Sequence, residues 1–260
     1  MTDRSQTPYD LIAEFYDEDM AVNNPGRDIG FYRALAARAR GPVLELGCGT
    51  GRITIPLLED GCRVNAIDSS SAMLDRLRGK IANRFAATLQ LRHTDMTLFE
   101  FTGSCGLVVC PFSAFTYVTS PEARRGLLNG IRRCLPPGGV FALDVFVPKY
   151  EVLARPDSYV YHDYRRPRAD GTFLEREKTI VKDLSAQTDE VTRTYRVISS
   201  DGRTLRTVVA RTRVRYHFQQ ELRLLLESHG FDIAEEGTDF EPPYRYDGSS
   251  MYFVCRRARQ

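Results

Sequence analysis

Apolar residues recur at helical spacing over 28–40, where Ile29, Tyr32, Leu35, Ala36 and Ala39 share one face. Gly41-Pro42 then ends the run. Residues 43–46 read as a short apolar strand that runs into glycines. Helical spacing returns over 52–58, where Pro56 suits a helix start better than a helix interior. A second strand over 63–68 ends on an acid, and 70–78 predicts a helix with a serine cap. Residues 89–95 alternate as a third strand and 107–112 form a fourth. A helix over 124–135 is stopped by Pro136-Pro137-Gly138-Gly139, and 140–146 is a fifth strand. This strand–helix rhythm predicts a parallel sheet covered by helices on both faces.

The rhythm changes after residue 150. Four extended segments, 159–166, 173–183, 191–199 and 205–216, follow one another without a helical stretch between them. Asp170-Gly171 and Asp201-Gly202 are hairpin turn signals, so these segments predict an antiparallel sheet. Residues 218–229 predict an amphipathic helix stopped by Gly230, and 231–235 and 251–255 predict late strands that rejoin the main sheet.

The chain has 260 residues, 42% of them hydrophobic, enough for a sizeable core. A net charge of +2 gives no field that favours nucleic acid or an anionic membrane. Only Lys80, Lys149, Lys178 and Lys182 are lysines; the other basic residues are arginines, as a GC-rich genome produces. Cys48, Cys62, Cys105, Cys110, Cys134 and Cys255 contain no C-x-x-C pair and read as reduced thiols of a cytoplasmic protein. The polar opening, residues 1–10, lacks the apolar core of a signal peptide. The uncharged stretch 101–121 is interrupted by Gly103 and Pro111 and reads as a strand plus loop rather than a membrane span.

The chemistry centres on Glu45-Leu46-Gly47-Cys48-Gly49-Thr50-Gly51-Arg52, a strand that enters G-x-G-x-G and then a helix. Glycines permit sharp turns and close approach to a ligand, and helix N-terminal amides then face it. A dinucleotide fingerprint needs glycine at position 52, where this chain has arginine. Asp68 ends the next strand and can accept both hydroxyls of a ribose, although a helix-capping role is equally open for it alone. Asp95-Met96 follows the third strand and can flank an adenine. Ligands of open α/β sheets bind at the carboxyl ends of successive strands, where all three positions fall.

With these pieces in hand the chain resembles the class I S-adenosylmethionine-dependent methyltransferases: ELGCGTGR, AIDSS, HTDM, LVVCPF and LPPGGVFALDVF match over roughly residues 9–147, and 218–256 match loosely. The resemblance implies a Rossmann-like α/β fold: a seven-stranded, mostly parallel sheet with helices on both faces and an antiparallel sheet inserted after strand five. It implies one methyltransferase domain over 1–260, with its core at 28–147 and 217–257, a lid helix at 8–20 and the insertion at 150–216. It assigns S-adenosylmethionine to Glu45, Gly47, Cys48, Gly49, Gly51, Asp68, Ser69, Asp95, Met96 and Pro111. The opening Tyr9-Asp10-Leu11-Ile12-Ala13-Glu14-Phe15-Tyr16-Asp17 resembles the first helix of glycine N-methyltransferase and amino-sugar N,N-dimethyltransferase enzymes. That likeness places Tyr16 near the cofactor and the insertion at acceptor and homodimer contacts. An ordinary amphipathic helix is the alternative reading of Tyr9 and Tyr16.

Methyl transfer from a sulfonium is an in-line displacement, so the protein's work is orientation and exclusion of water. If a base is needed, His162 and Tyr117 are the first candidates, followed by His217 and Tyr164. Phe112, Phe115, Tyr164 and Arg213 are expected at the acceptor, a small molecule methylated on N or O. Pro111-Phe112 offers no metal-binding acids, and no metal is expected. Arg211, Arg213 and Arg215 share one strand face, solvated by default; with Arg165 and Arg166 it could instead meet an anionic acceptor. A cofactor-cyclising or non-catalytic binding protein uses the same pocket and stays open, whereas Arg52 and Asp95-Met96 speak against a nicotinamide-dependent oxidoreductase.

Overall fold

A computed structural model describes residues 6–23, 26–101 and 103–258; the first five residues of the opening stretch, read above as free of a signal peptide, lie outside it. The strands are β1 (Val43–Leu46), β2 (Val64–Asp68), β3 (Leu89–His93), β4 (Leu107–Cys110), β5 (Val140–Phe146), β6 (Tyr161–Pro167), β7 (Phe173–Asp183), β8 (Thr188–Ile198), β9 (Thr204–Arg215), β10 (Phe231–Thr238) and β11 (Ser250–Arg257). The helices are α1 (Pro8–Asn23), α2 (Arg27–Arg38), α3 (Thr54–Glu59), α4 (Ser71–Ile81), α5 (Pro121–Cys134), α6 (Tyr150–Ala154) and α7 (Gln219–Ser228). Among the described residues no helix is long and apolar enough to cross a membrane.

One sheet runs β10-β11-β5-β4-β1-β2-β3. Its five central and edge strands β1 to β5 pair in parallel, and β11 is antiparallel to both β5 and β10. The central strands are buried on both faces, which is why they read as unbroken apolar runs. Alternation sends Leu44, Leu46, Val108, Phe141 and Leu143 against α5 and α7. It sends Val43, Val64, Ala66, Leu107, Val109 and Ala142 against α2, α3 and α4. The chain reverses its direction of winding between β1 and β4, so a crevice opens at their carboxyl ends.

The second sheet, β6-β7-β8-β9, is antiparallel, with the two Asp-Gly turns at the expected hairpins. Its third turn was silent in the sequence: β8 begins at Thr188, and Gln187 takes φ +54 without help from glycine or proline. Helix α5 likewise begins at Pro121, three residues before its apolar period starts. The Ser120 hydroxyl accepts from the Ala123 N–H at 3.2 Å and proline fills the first turn.

Helix α1 joins the two sheets. Ile12 and Phe15 pack against Leu174, Tyr195 and Ala210, with the rings of Phe15 and Tyr195 stacked at 5.3 Å. Buried Asp19 receives Arg176 and the Tyr195 hydroxyl, and Arg168 reaches Glu18 at 2.8 Å. On the other side, Asp10 accepts from the Ser70 hydroxyl at 2.6 Å and the Ala72 N–H at 3.0 Å. Asp17 accepts from Thr50 at 2.6 Å and Lys80 at 2.8 Å.

Candidate functional site

After β1 the backbone turns at Gly47 (φ +76), where a Cβ would lie 2.9 Å from the Ala114 Cβ. Both the left-handed conformation and the close approach require glycine there. The Gly47 and Cys48 N–H groups donate to the Ile67 carbonyl, which fastens the loop to the end of β2. Asp68 accepts from the Gly49 N–H and from the Ser70 N–H, each at 2.8 Å. Burial raises its carboxyl above the ordinary value against the pull of those two bonds.

These groups line a cavity of about 320 Å³, a size suited to a small-molecule ligand. Gly47, Gly49, Asp68 and Ser69 form one side and Asp95, Met96 and Thr97 another. Pro111 and Phe112 enter after β4, Tyr9 and Tyr16 come from α1, and Tyr117 comes from a 3-10 turn. Arg211 and Arg213 close the rim from β9, an edge strand. Ten of the expected cofactor and acceptor positions thus converge; Glu45, Cys48 and Gly51 do not. Glu45 is 1% exposed beneath the loop, where it accepts from Thr54 at 2.6 Å, and burial pushes its carboxyl up to about 8. Cys48 packs into the core under α2, α3 and α4. Gly51 faces α4: a Cβ there would meet Leu77 Cδ1 at 2.2 Å.

A second cavity, about 750 Å³, lies between the crevice and the inner face of the antiparallel sheet. Tyr9, Tyr16, Phe112 and Tyr117 border both cavities and therefore mark their junction. The hydroxyls of Tyr9 and Tyr117 hydrogen-bond there, and burial, with Tyr117 second, raises the Tyr9 phenol well above its ordinary value. Phe112 holds φ +50 because its N–H donates to Asp144 at 2.8 Å. Asp144, 3% exposed, also accepts from Tyr32 at 2.6 Å, and burial pushes it up to about 6.

Other expected positions fall elsewhere. His162 projects from edge strand β6 with its side chain 77% exposed, 3.7 Å from Glu177, and borders neither cavity. Phe115 is fully buried in the core because the 3-10 turn points residue 115 inward while it presents residue 117 to the junction. His217 is buried beside it, outside both linings. Tyr164 packs with Ile12 and Tyr195 under α1. Arg165 and Arg166 lie on β6, at the opposite sheet edge from Arg213, so they cannot extend its face; Arg166 instead donates to the Glu18 carbonyl at 2.8 Å.

Some site residues went unread. Arg52, which displaced the dinucleotide glycine, pairs with buried Asp28 at 2.5 and 2.7 Å and lies over the Phe112 ring at 5.1 Å. It thereby ties α2 to the loops after β1 and β4. Asp144 did leave a signal, a lone acid in an otherwise apolar fifth strand. Among the described residues no group of three His, Cys, Asp or Glu side chains could hold a metal ion.

Residues 43–139 match the family described as a methyltransferase domain. The cypemycin N-terminal methyltransferase of a Streptomyces species is 34% identical over 145 residues, 54% of this chain and 57% of that protein. The carboxy-S-adenosyl-L-methionine synthase of Photorhabdus laumondii is 25% identical over 166 residues, 60% of this chain and 65% of that protein. The chain therefore spans less than two thirds of the length of these curated relatives. The solved CcbJ methyltransferase from Streptomyces caelestis aligns over 99% of this chain and 100% of its own, at 26% identity and a TM-score of 0.79. Streptomyces venezuelae DesVI shares the fold at 19% identity over 95% and 98% of the two chains, with a TM-score of 0.72.

Two substitutions separate scaffold from contact. Gly51→Ala combines a left-handed backbone with overpacking against Leu77, and urea denaturation should show a loss of ~2–4 kcal/mol. Glu45 gains stability from protonation: its raised carboxyl favours folding fully below about pH 4.5 and loses that contribution as pH rises through about 8. Glu45→Gln, which cannot ionise, should become more stable relative to the parent by ~2–4 kcal/mol between pH 5 and pH 9. A constant difference across that range refutes the neutral-carboxyl account.

Proposed function

We propose that this chain, which is built on a class I S-adenosylmethionine-dependent methyltransferase domain, transfers a methyl group to an N or O atom of a small molecule. One observation carries the reading: two cavities, one against the glycine loop and one against the inserted sheet, meet at a ring of aromatic residues. Donor and acceptor bound in separate cavities that share one junction suit an in-line displacement.

The residues present fit the cofactor. Gly47 and Gly49 let the backbone lie against its methionine part, with Tyr16 beside them. The Asp68 carboxylate has lone pairs left over for ribose hydroxyls, and Ser69 and Met96 pack nearby. Asp95 reads the adenine amine, and Pro111 closes the cavity toward the junction. When bound, S-adenosylmethionine supplies a methyl group already activated on a sulfonium. What remains for the protein is to hold the acceptor atom in line and keep water out.

Phe112, clamped by Asp144 and Arg52, and the Tyr9–Tyr117 pair do this work at the junction. The buried Tyr9 phenol stays protonated at neutral pH, so Tyr9 orients the acceptor atom by hydrogen bonding rather than by removing a proton. A neutral amine needs no base before attack. Arg213 and Arg211 then serve the rim of the donor cavity rather than the acceptor.

A carboxy-S-adenosyl-L-methionine synthase makes a modified form of the cofactor itself, and several of the relatives bear that name. The relative at 34% identity is named for methyl transfer to another molecule, which favours an external acceptor. The whole of 1–260 is read as one unit: core 28–147 and 217–257, lid helix 8–20, insertion 150–216. Leu205 and Val209, exposed on β9, support a homodimer contact through the insertion. Six free thiols support a cytoplasmic location. Neither nucleic acid nor membrane is a proposed partner.

Calorimetric titration tests the reading. S-adenosylmethionine should bind and NADH should not, and Asp68→Ala should weaken the first ligand about 10- to 100-fold, the worth of hydrogen bonds to a charged acceptor. Binding of NADH, or of neither ligand, refutes the cofactor assignment. Conversion of S-adenosylmethionine without an added acceptor refutes methyl transfer alone.

A further inference from the structure

Alternation along β8 puts Tyr195, Arg193, Val191 and Asp189 on the sheet face that borders the second cavity. Most charges on this face are already matched. Arg176 pairs with Asp19 and Asp163, Lys178 with Asp163 at 2.9 Å and Lys182 with Asp157 at 2.6 Å. Arg193 donates to the Thr212 hydroxyl at 2.8 Å.

Asp189 differs from these. It is 6% exposed, it borders the cavity, and its buried Oδ1 has no hydrogen-bond partner. Tyr161, whose buried hydroxyl also lacks a partner, borders the same cavity at the register of Lys178 and Arg193. Beside them Ile180, Val191 and Val214 form an apolar cluster on which Tyr161 packs. Burying a carboxylate oxygen without a partner is unfavourable, so the Asp189 end of the cavity suits a ligand that donates. A hydroxyl would give one bond and leave the charge buried. An ammonium supplies three donors and neutralises it. Lys182 attracts the Asp189 carboxylate, but its hydrogen bond goes to Asp157, whose charge repels Asp189.

Resting on the reading of this cavity as the acceptor site, we infer that its Asp189 end is a subsite for an alkylammonium substituent of the acceptor. The apolar body lies on Ile180, Val191 and Val214, and the nitrogen donates to Asp189. Arg193, which neighbours the Tyr9–Tyr117 pair, is four extended residues from Asp189, about 13 Å along the strand. The substituent is therefore remote from the atom methylated, and Asp189 sets specificity rather than chemistry.

The test uses the full chain saturated with S-adenosylhomocysteine and two probes of one shape, cyclohexylamine and cyclohexanol, titrated calorimetrically at pH 8. The amine should bind about tenfold tighter or better. Asp189→Asn should abolish that preference while S-adenosylhomocysteine affinity stays unchanged. The parent protein gives a check free of variants. Burial pushes the Asp189 carboxyl up to about 6, with Lys182 opposing and Asp157 adding. The amine preference should therefore fall several-fold from pH 8 to pH 5, while cyclohexylamine itself stays cationic. Equal binding of the two probes, no amine binding, or a preference that survives Asp189→Asn overturns the subsite. Failure of S-adenosylhomocysteine to bind instead overturns the cofactor reading beneath it.

Discussion

The carboxylates of Asp10 and Asp17, seven residues apart on α1, fix that helix to α4 and to the glycine loop, and the junction of the two cavities depends on their hold. Seven residues are two turns, so the pair lies on one line of the helix about 10 Å apart. Tyr9 and Tyr16 precede them by one residue each and therefore form a second line, rotated toward the cavities. Ile12, Phe15 and Asp19 make a third line, which meets the antiparallel sheet. One helix thus sets the register between the sheet that carries the glycine loop and the sheet that walls the second cavity. The exposed ion pairs at its outer face, such as Arg206 with Glu14 at 2.7 Å, add little beside these anchors.

The crevice itself is stiffened by charges that water does not reach. Arg52 and Asp28 form a pair with side chains 17% and 0% exposed, and Asp144 sits close by with Tyr32 and Phe112 on one oxygen. Such groups are weak sources of net stability, because desolvation offsets most of their attraction. Their effect is positional: Phe112 cannot leave its left-handed conformation without giving up its hydrogen bond to a buried carboxylate. The aromatic ring at the junction is therefore held by electrostatics from behind and needs no charge on the side that faces the ligand.

How much of this was legible follows from what each part of the sequence had to satisfy. The five parallel strands and the Asp-Gly hairpins were readable because burial on two faces and φ > 0 turns restrict residue type severely. Gly47, Asp68 and Asp95-Met96 were readable because they sit at strand ends, where the fold fixes what can face a ligand. Glu45, Cys48 and Gly51 belong to the same motif, yet they serve the packing beneath the loop; a contiguous string does not reveal which side each residue faces. His162 misled for a related reason. Its strand is an edge, and the bulge between residues 162 and 164 shifts the alternation, so its chemistry-bearing side chain faces water.

The acceptor side was the least legible, and the cause is physical. A donor site built on backbone turns leaves glycines and strand-end acids at fixed spacing. An acceptor site built on the face of an antiparallel sheet leaves only alternation, which every residue of that sheet obeys. Asp189 and Arg193 look in sequence like any other charges on a strand that also carries Glu190 and Arg196. Only the folded sheet shows that this pair faces the second cavity, with Asp189 buried and one of its oxygens unmatched, while Arg196 meets Glu175 and Glu177 on the other side. Specificity in this architecture can therefore change by single substitutions on the inserted sheet while the glycine loop and its strand-end acids stay as they are.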